Sequence, residues 1–528
     1  MEDFKNIANK LVEEKKWQEL LEFADKSLVE LNVDNVDYNY RLAQIYYAKA
    51  QALNFLESFG QVKVYLEKIF ELEPTKYTAQ AYFAYAWNLA DKGQHLEALP
   101  YANKAIEINP NDSDYYVTRA NIYENLNQYE NAINDCNKAI ELNSQSIYAY
   151  HERGRVKVAL SLYAEAIEDF NFVIEKEPNH SRSYGWRACC YNGLEMPEQA
   201  LGDYNKAVEL DLDDAASWAN RGETKAILKD IEGAIEDYNK AIELGFNTTD
   251  IYHNRGVAKT ELGKYKEAIP DFNNAIELNP EYAPSYYYRG YAKVALEQYE
   301  EAILDYDKAI ELDSNHAMAY HNRGLVKSHL GKHEEAILDY DKAIELYPDY
   351  AYVYFNRGMA KYLLKKRREA ILDFDKAIEL DSNDPNTYYY RAKTKFELNY
   401  VFNSVIQDLD KALELGCNNA EIYFIYGNCK FKLEQYKEAL EDYNKAIELE
   451  PNNSEYYLKR AECYAWLNKY KLYSEDMKMV KKLNENYKAP YDLFAYVLIW
   501  RVIKKIFNFI AKVLVKIFSL KERFFKCK

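Results

Sequence analysis

Lys308-Ala309-Ile310-Glu311-Leu312 reads KAIEL, and this stretch or a close relative returns every 34 residues along most of the chain. Its alanine recurs at Ala105, Ala139, Ala207, Ala241, Ala275, Ala309, Ala343 and Ala377, with Val173 holding the one gap in register. After a one-residue slip the series continues at Ala412, Ala446 and, degenerate, Val480. A fixed period of this length marks an array in which each unit buries its apolar face only against its neighbours. The expected molecule is a long surface for holding other molecules, not a pocket built around one reaction.

With Ala139 as position 27, repeats start at 79, 113, 147, 181, 215, 249, 283, 317, 351, 385, 420 and 454. Position 4 is aromatic in every one, from Tyr82 through Trp218 to Tyr457. Position 8 is Gly or Ala throughout, position 20 is Ala in ten of twelve, and position 24 is usually Phe or Tyr. Within a unit the apolar spacing is helical in two runs, such as Ser285–Leu296 and Glu300–Leu312. Small residues at 8, 20 and 27 let two helix backbones approach, and the aromatics at 4 and 24 fill the space beside them. Helix stops are written at Asn109-Pro110, Glu177-Pro178, Asn279-Pro280, Tyr347-Pro348 and Glu450-Pro451.

This pattern resembles the tetratricopeptide repeat family over about residues 43–487. The resemblance implies an all-α solenoid: antiparallel helix pairs stacked into a right-handed superhelix, with a concave groove lined by the first helices. The family's usual Leu at position 7 and Tyr at position 11 are replaced here, by Arg in ten units and Lys in eight. Position 23 is Asp in eleven units, so Arg255, Arg289, Arg323 and Arg357 are expected to pair with such an Asp across facing helices. Carboxylates this regular are not an acid–base dyad, because chemistry needs a unique site.

Three segments follow. Residues 1–78 are degenerate opening helix pairs, in which Phe4, Ala8, Leu20 and Ala24 keep the phase and extra residues fall around Asn54–Gly60. Residues 79–487 are the array, and 488–528 a basic amphipathic helix. The net charge is −17, yet 489–528 carry nine Lys/Arg against two acids, leaving −24 on everything before them. An acidic body argues against nucleic acid, which needs phosphate-neutralising Lys/Arg. The start, Met1-Glu2-Asp3-Phe4-Lys5, has no basic region leading into an apolar core, so no secretory signal is expected. Seven cysteines without a CxxC fit a reducing cytoplasm, and Cys190, Cys429 and Cys463, all at position 10, are expected as core filler. No HExxH, phosphate loop, GxSxG elbow or dinucleotide fingerprint occurs, so no catalytic residue, cofactor or metal is expected.

In the family, positions 2, 5, 6, 9, 12 and 13 line the groove. Position 6 is Asn at Asn220, Asn254, Asn322 and Asn356. An amide offers donor and acceptor to the backbone of an extended peptide whatever its sequence. From 283 onward, positions 5, 9 and 12 turn aromatic at Tyr287, Tyr291, Phe355, Tyr362, Tyr389 and Phe396. Such rings suit partner recognition, or packing within the stack. A clamp for acidic C-terminal tails needs Lys at position 5, which no repeat has.

In the tail, polar residues from Arg501 to Arg523 step by three or four and form one stripe. Trp500, Phe507 and Phe518 lie off that stripe, whereas Lys505, Lys512 and Lys516 lie on it, with Lys504 next to it in sequence. The longest uncharged run, Leu493–Trp500, is too short to span a bilayer. Two expectations stand for this segment: peripheral contact with an anionic membrane surface on its cytoplasmic face, or a helix covering the last repeat or joining two chains. The function expected is a non-enzymatic scaffold binding protein or peptide segments. The alternative is a recruiting or regulatory arm for a separately encoded enzyme.

Overall fold

The computed structural model describes residues 2–31, 38–55, 59–72 and 76–484, together with 499, 502, 503, 506, 509, 510 and 512. Up to Asn484 these form twenty-eight α-helices, and no strand occurs among the described residues. A typical repeat is Ala317–His329 followed by His333–Leu346. The two runs read from the repeat at 283 become Ala283–Ala295 and Tyr299–Leu312, one or two residues longer at their starts. The proline stops hold: the second helices end at Ile108, Lys176, Leu278, Leu346 and Leu449, each one residue before its X-Pro pair.

How close the paired helices come is set by positions 8 and 24. A Cβ placed on Gly154, Gly256, Gly324 or Gly427 would lie 2.8, 2.7, 2.7 and 2.6 Å from the ring of Phe170, Phe272, Tyr340 and Tyr443. Where position 24 is smaller, at Ala102, Cys136, Leu409 and Met477, position 8 carries a methyl group instead, at Ala86, Ala120, Ala392 and Ala461. In these repeats volume is traded between the two positions, as dense interiors demand, while the repeat at 181 keeps both Ala188 and Tyr204. The alanines at position 20, from Ala98 to Ala439, are fully buried, as are Cys190, Cys429 and Cys463.

The turn between the two helices is the same everywhere. Position 15 has a positive φ in every repeat, from Gly93 to Asn468, although Gly occupies it only at 93, 263 and 331. Lys15 adopts it too, between Glu2–Glu13 and Trp17–Val29, with Leu20 and Ala24 buried below. The one-residue slip lies in one of these turns: the second helix of the repeat at 385 starts at Phe402, one residue late. In the opening region the extra length sits in an 18-residue helix, Tyr38–Phe55.

The chain divides into two compact units, Met1–Leu278 and Asn279–Lys528, at the Asn279-Pro280 stop. Within each, every second helix packs on the next first helix, and successive first helices also touch one another. The first helices therefore share one face in each unit.

Candidate functional site

One side of every first helix turns towards its own second helix, and there charge is neutralised in a fixed pattern. Arg255 donates from Nε to Asp271 Oδ2 at 3.1 Å and from Nη2 to Oδ1 at 2.6 Å. Its third nitrogen, Nη1, reaches Asn239 Oδ1 of the preceding repeat at 2.7 Å. Lys259, at position 11, closes on Asp271 Oδ2 at 2.7 Å, and Tyr252, at position 4, lies under the guanidinium at 5.6 Å. Both departures from the family pattern thus serve the same buried carboxylate. Arg289, Arg323 and Arg357 grip Asp305, Asp339 and Asp373 of their own repeats likewise. All eight position-11 lysines pair with the position-23 Asp. Their role, and the backward reach to position 25, were not foreseen from the sequence.

Two repeats lack the arginine. In the repeat at 79, Tyr85 and Tyr101 replace both partners and meet edge to face at 4.7 Å. In the repeat at 420, Tyr426 keeps only the backward contact, from its hydroxyl to Asp410. Asp442 is left with Lys430, and burial pushes its carboxyl above the usual range.

The other side of the first helices is where the repeats differ. In the N-terminal unit it is aromatic in the repeat at 79, at Phe83 and Trp87, and mainly polar from the repeat at 113 onward. Asn121 donates to Glu152 at 3.2 Å, and Arg155 bridges Glu152 at 3.1 Å and Glu124 at 2.9 Å while lying over the Trp186 ring. Burial first, then the charge of Glu152, pushes the Glu124 carboxyl up. Asn220 is half-buried, its Nδ2 3.9 Å from Cys189 Sγ. Asn254 helps line a cavity of about 290 Å³ with Glu223, Lys229 and Glu261. Position 5 carries His151 and His253, packed on Phe170 and Phe272. Burial pushes His253 down to about 4; burial and then the neighbouring charges of His180, Arg155 and Arg182 push His151 down to about 3.

In the C-terminal unit the same face is aromatic and stitched from repeat to repeat. Asn322 Nδ2 donates to the Tyr287 hydroxyl at 2.9 Å, and Asn356 Nδ2 meets His321 Nε2 at 3.0 Å. Burial pushes His321 down to about 4, which keeps its ring neutral. Phe355 packs between Phe374 and Tyr390, and Phe396 against Phe402. Tyr362 bonds Glu397 beneath the Arg367 guanidinium, and the buried Tyr389 bonds Glu421. Tyr291 is the outward member of the set, 44% exposed.

Against this geometry the family can be stated. A tetratricopeptide repeat model matches residues 113–146, 249–282, 317–350, 351–384 and 420–453. A second matches 79–112, 181–214 and 215–245, and a TPR repeat model matches 290–328. Together they span more than half of the chain. The chain is a tetratricopeptide repeat protein.

Solved structures similar to this TPR array include YrrB, described as a TPR protein with an unusual peptide-binding site. It shares 26% identity, covering 38% of this chain and 99% of its own at a TM-score of 0.33. MamA shares 30% identity over 30% of this chain and 94% of its own, at a TM-score of 0.30. The Cut9–Hcn1 hetero-tetramer of the APC/C shares 15% over 86% and 96%, at 0.36. No curated protein matches the sequence. TPR arrays bind protein or peptide partners, and this one presents a contact scaffold of that kind.

Of the tail positions singled out, Trp500, Lys504, Lys505, Phe507, Lys516 and Phe518 lie outside the described residues. Lys512 is helical and exposed, as are Ile499, Val502, Ile503, Ile506, Phe509 and Ile510. No helix among the described residues is long and apolar enough to cross a membrane.

Proposed function

We propose that this TPR protein is a non-enzymatic scaffold that holds an extended peptide or protein segment along the face of its first helices. The observation that carries this is the stitching of that face: Tyr287 to Asn322 and His321 to Asn356 set one repeat's position 5 beside the next repeat's position 6. An amide has two donors and two acceptor lone pairs, so an Asn that spends one N–H within the stack retains capacity towards a partner backbone. Tyr291, Phe355, Tyr362 and Phe396 supply rings beside it, while Tyr389 is buried behind them, and Asn220 and Asn254 hold the equivalent place in the N-terminal unit.

The test is a photocrosslinker at position 291, with Leu304 on a second helix (67% exposed) as the control site. Partner adducts should form from 291 and not from 304. They should fall when Asn322 and Asn356 both become Ala, with the thermal midpoint nearly unchanged. Equal labelling from both sites would refute the assignment.

The scaffold works beside an anionic membrane surface, reached through 488–528. Ile499, Val502, Ile503, Ile506, Phe509 and Ile510 follow helical spacing and are exposed, an apolar seam suited to lipid. Flotation with anionic liposomes should need residues 489–528 and weaken when Lys504, Lys505, Lys512 and Lys516 become Glu. A chain that ignores liposomes but dimerises through this segment would replace lipid by a second copy.

A further inference from the structure

In three repeats a ring at position 5 of the first helix meets a ring in the loop that leads into the next repeat. His151 meets His180 at 5.0 Å, Tyr287 meets His316 at 4.7 Å, and His321 meets Tyr350 at 5.3 Å. The repeat at 181 has neither ring. Its position 5 is Gly185, and the loop residue is Asp214. The gap stays open as a cavity of about 460 Å³ lined by Trp186, Cys189, Asp211, Asp213, Asp214 and Asn220. It opens on the first-helix face of the repeat at 181.

Its chemistry is anionic. Three aspartates line it against a single cation, Arg182. Asp214 is occupied in part, accepting from the backbone N–H and hydroxyl of Ser217, and Asp211 accepts from the Asp213 N–H. An apolar side chain seated here would desolvate carboxylates without pairing them, and an acidic one would be repelled. A cation gains charge-assisted hydrogen bonds. Asn220 stands beside it with donor and acceptor for the backbone of the same segment.

We propose that this cavity receives a lysine or arginine side chain of the partner segment, and so fixes that segment's register on the N-terminal unit. This rests on the peptide-holding function above. A ring in the cavity is the natural way to disable it, because other repeats carry one. A Cβ on Gly185 would meet only Ser217 Oγ, at 3.2 Å, so Gly185→Tyr has room to start.

The experiment selects short random peptides displayed on phage against the full chain, then compares variants by fluorescence anisotropy. Enriched peptides should share a Lys or Arg whose change to Gln weakens binding roughly tenfold or more, the scale for losing a paired charge in an interface. Gly185→Tyr should weaken binding similarly while the thermal midpoint holds or rises. Asp211→Asn with Asp213→Asn should weaken it and flatten its salt dependence, which keeps the test decisive if the tyrosine variant misfolds. Enriched peptides without a basic residue, or basic peptides that bind every variant equally, overturn the proposal. Peptides indifferent to the cavity variants but lost with Asn322→Ala and Asn356→Ala would overturn the cavity and leave the scaffold function standing. No enrichment on the unaltered chain would sink both.

Discussion

Each first helix carries two sides that obey different rules. Towards its own second helix, the repeats at 249, 283, 317 and 351 are interchangeable: Arg at 7, Lys at 11, Asp at 23. On the side away from it, positions 5, 6 and 9 read His253-Asn254-Val257, Tyr287-Tyr288-Tyr291, His321-Asn322-Leu325 and Phe355-Asn356-Met359. What is repeated holds the stack together, because every junction must solve the same packing problem. What varies is free to address a partner that differs along its length.

Adjacent residues put that contrast to its hardest test. Arg323→Ala takes the two-pronged donor from Asp339, which is 4% exposed and keeps only Lys327 at 2.9 Å, and should cost about 1.5–3 kcal/mol in chemical denaturation. Asn322→Ala, one residue away on the other side, removes one part-buried hydrogen bond and should cost only about 0.5–1.5 kcal/mol. Similar costs for the two would erase the distinction between the sides.

Acid tests the variable side next. His151, His253 and His321 have folded pKa values near 3, 4 and 4, below the unfolded value of about 6.5. The unfolded chain therefore binds more protons between those limits. The stability these rings contribute is complete above about pH 6.5 and is lost as pH falls towards 4, by about 1.4 kcal/mol per pH unit for each ring. Glu124 works the other way: its raised pKa gives stability that is lost as pH rises. His321→Phe should flatten the acid limb of a stability–pH curve; an unchanged slope would mean that the ring is not held neutral.

On the repeated side, Gly256→Ala drives a Cβ to 2.7 Å from Phe272 and should cost about 1–3 kcal/mol. Phe272→Leu should recover part of this in a double-mutant cycle, since Ala392 already stands opposite Leu409. Additive losses would show that the two volumes are not matched. The smallest effect is at the turn. Glu297→Gly removes a left-handed non-glycine residue, φ 60°, and should raise stability by about 1 kcal/mol or less after the unfolded chain's gain in freedom.

The repeated side was largely legible because each feature is present many times over. Twelve aligned copies exposed the Gly/Ala at 8, the aromatic at 24 and the Arg/Asp pair as regularities that one copy would hide. Lys at 11 was visible but had no assigned partner, because its reach to position 23 depends on how the two helices cross. The contact to position 25 was invisible, since it joins consecutive repeats and needs their stacking phase. The turn at 15 was masked because Glu, Lys, Asn and Ser fill a place where Gly would have announced it. On the variable side, sequence could not separate Tyr291, which faces outwards, from Tyr389, which is buried against Glu421. Both sit at groove positions, and only their neighbours decide.

The arginine fork also gives the stack a direction. From at least nine repeats Nη1 reaches back to position 25 of the repeat before, as Arg153 does to Asn137 and Arg391 to Asp375. Trimming repeats from the C-terminal side removes whole arginine stations and leaves those behind complete. Trimming from the N-terminal side strips the acceptor and leaves the next guanidinium with an open nitrogen at the new edge. For the arginine network alone, copies can be gained or shed at one end without opening a station, while the other end must be finished differently: there, Tyr85 and Tyr101 ask nothing of a predecessor.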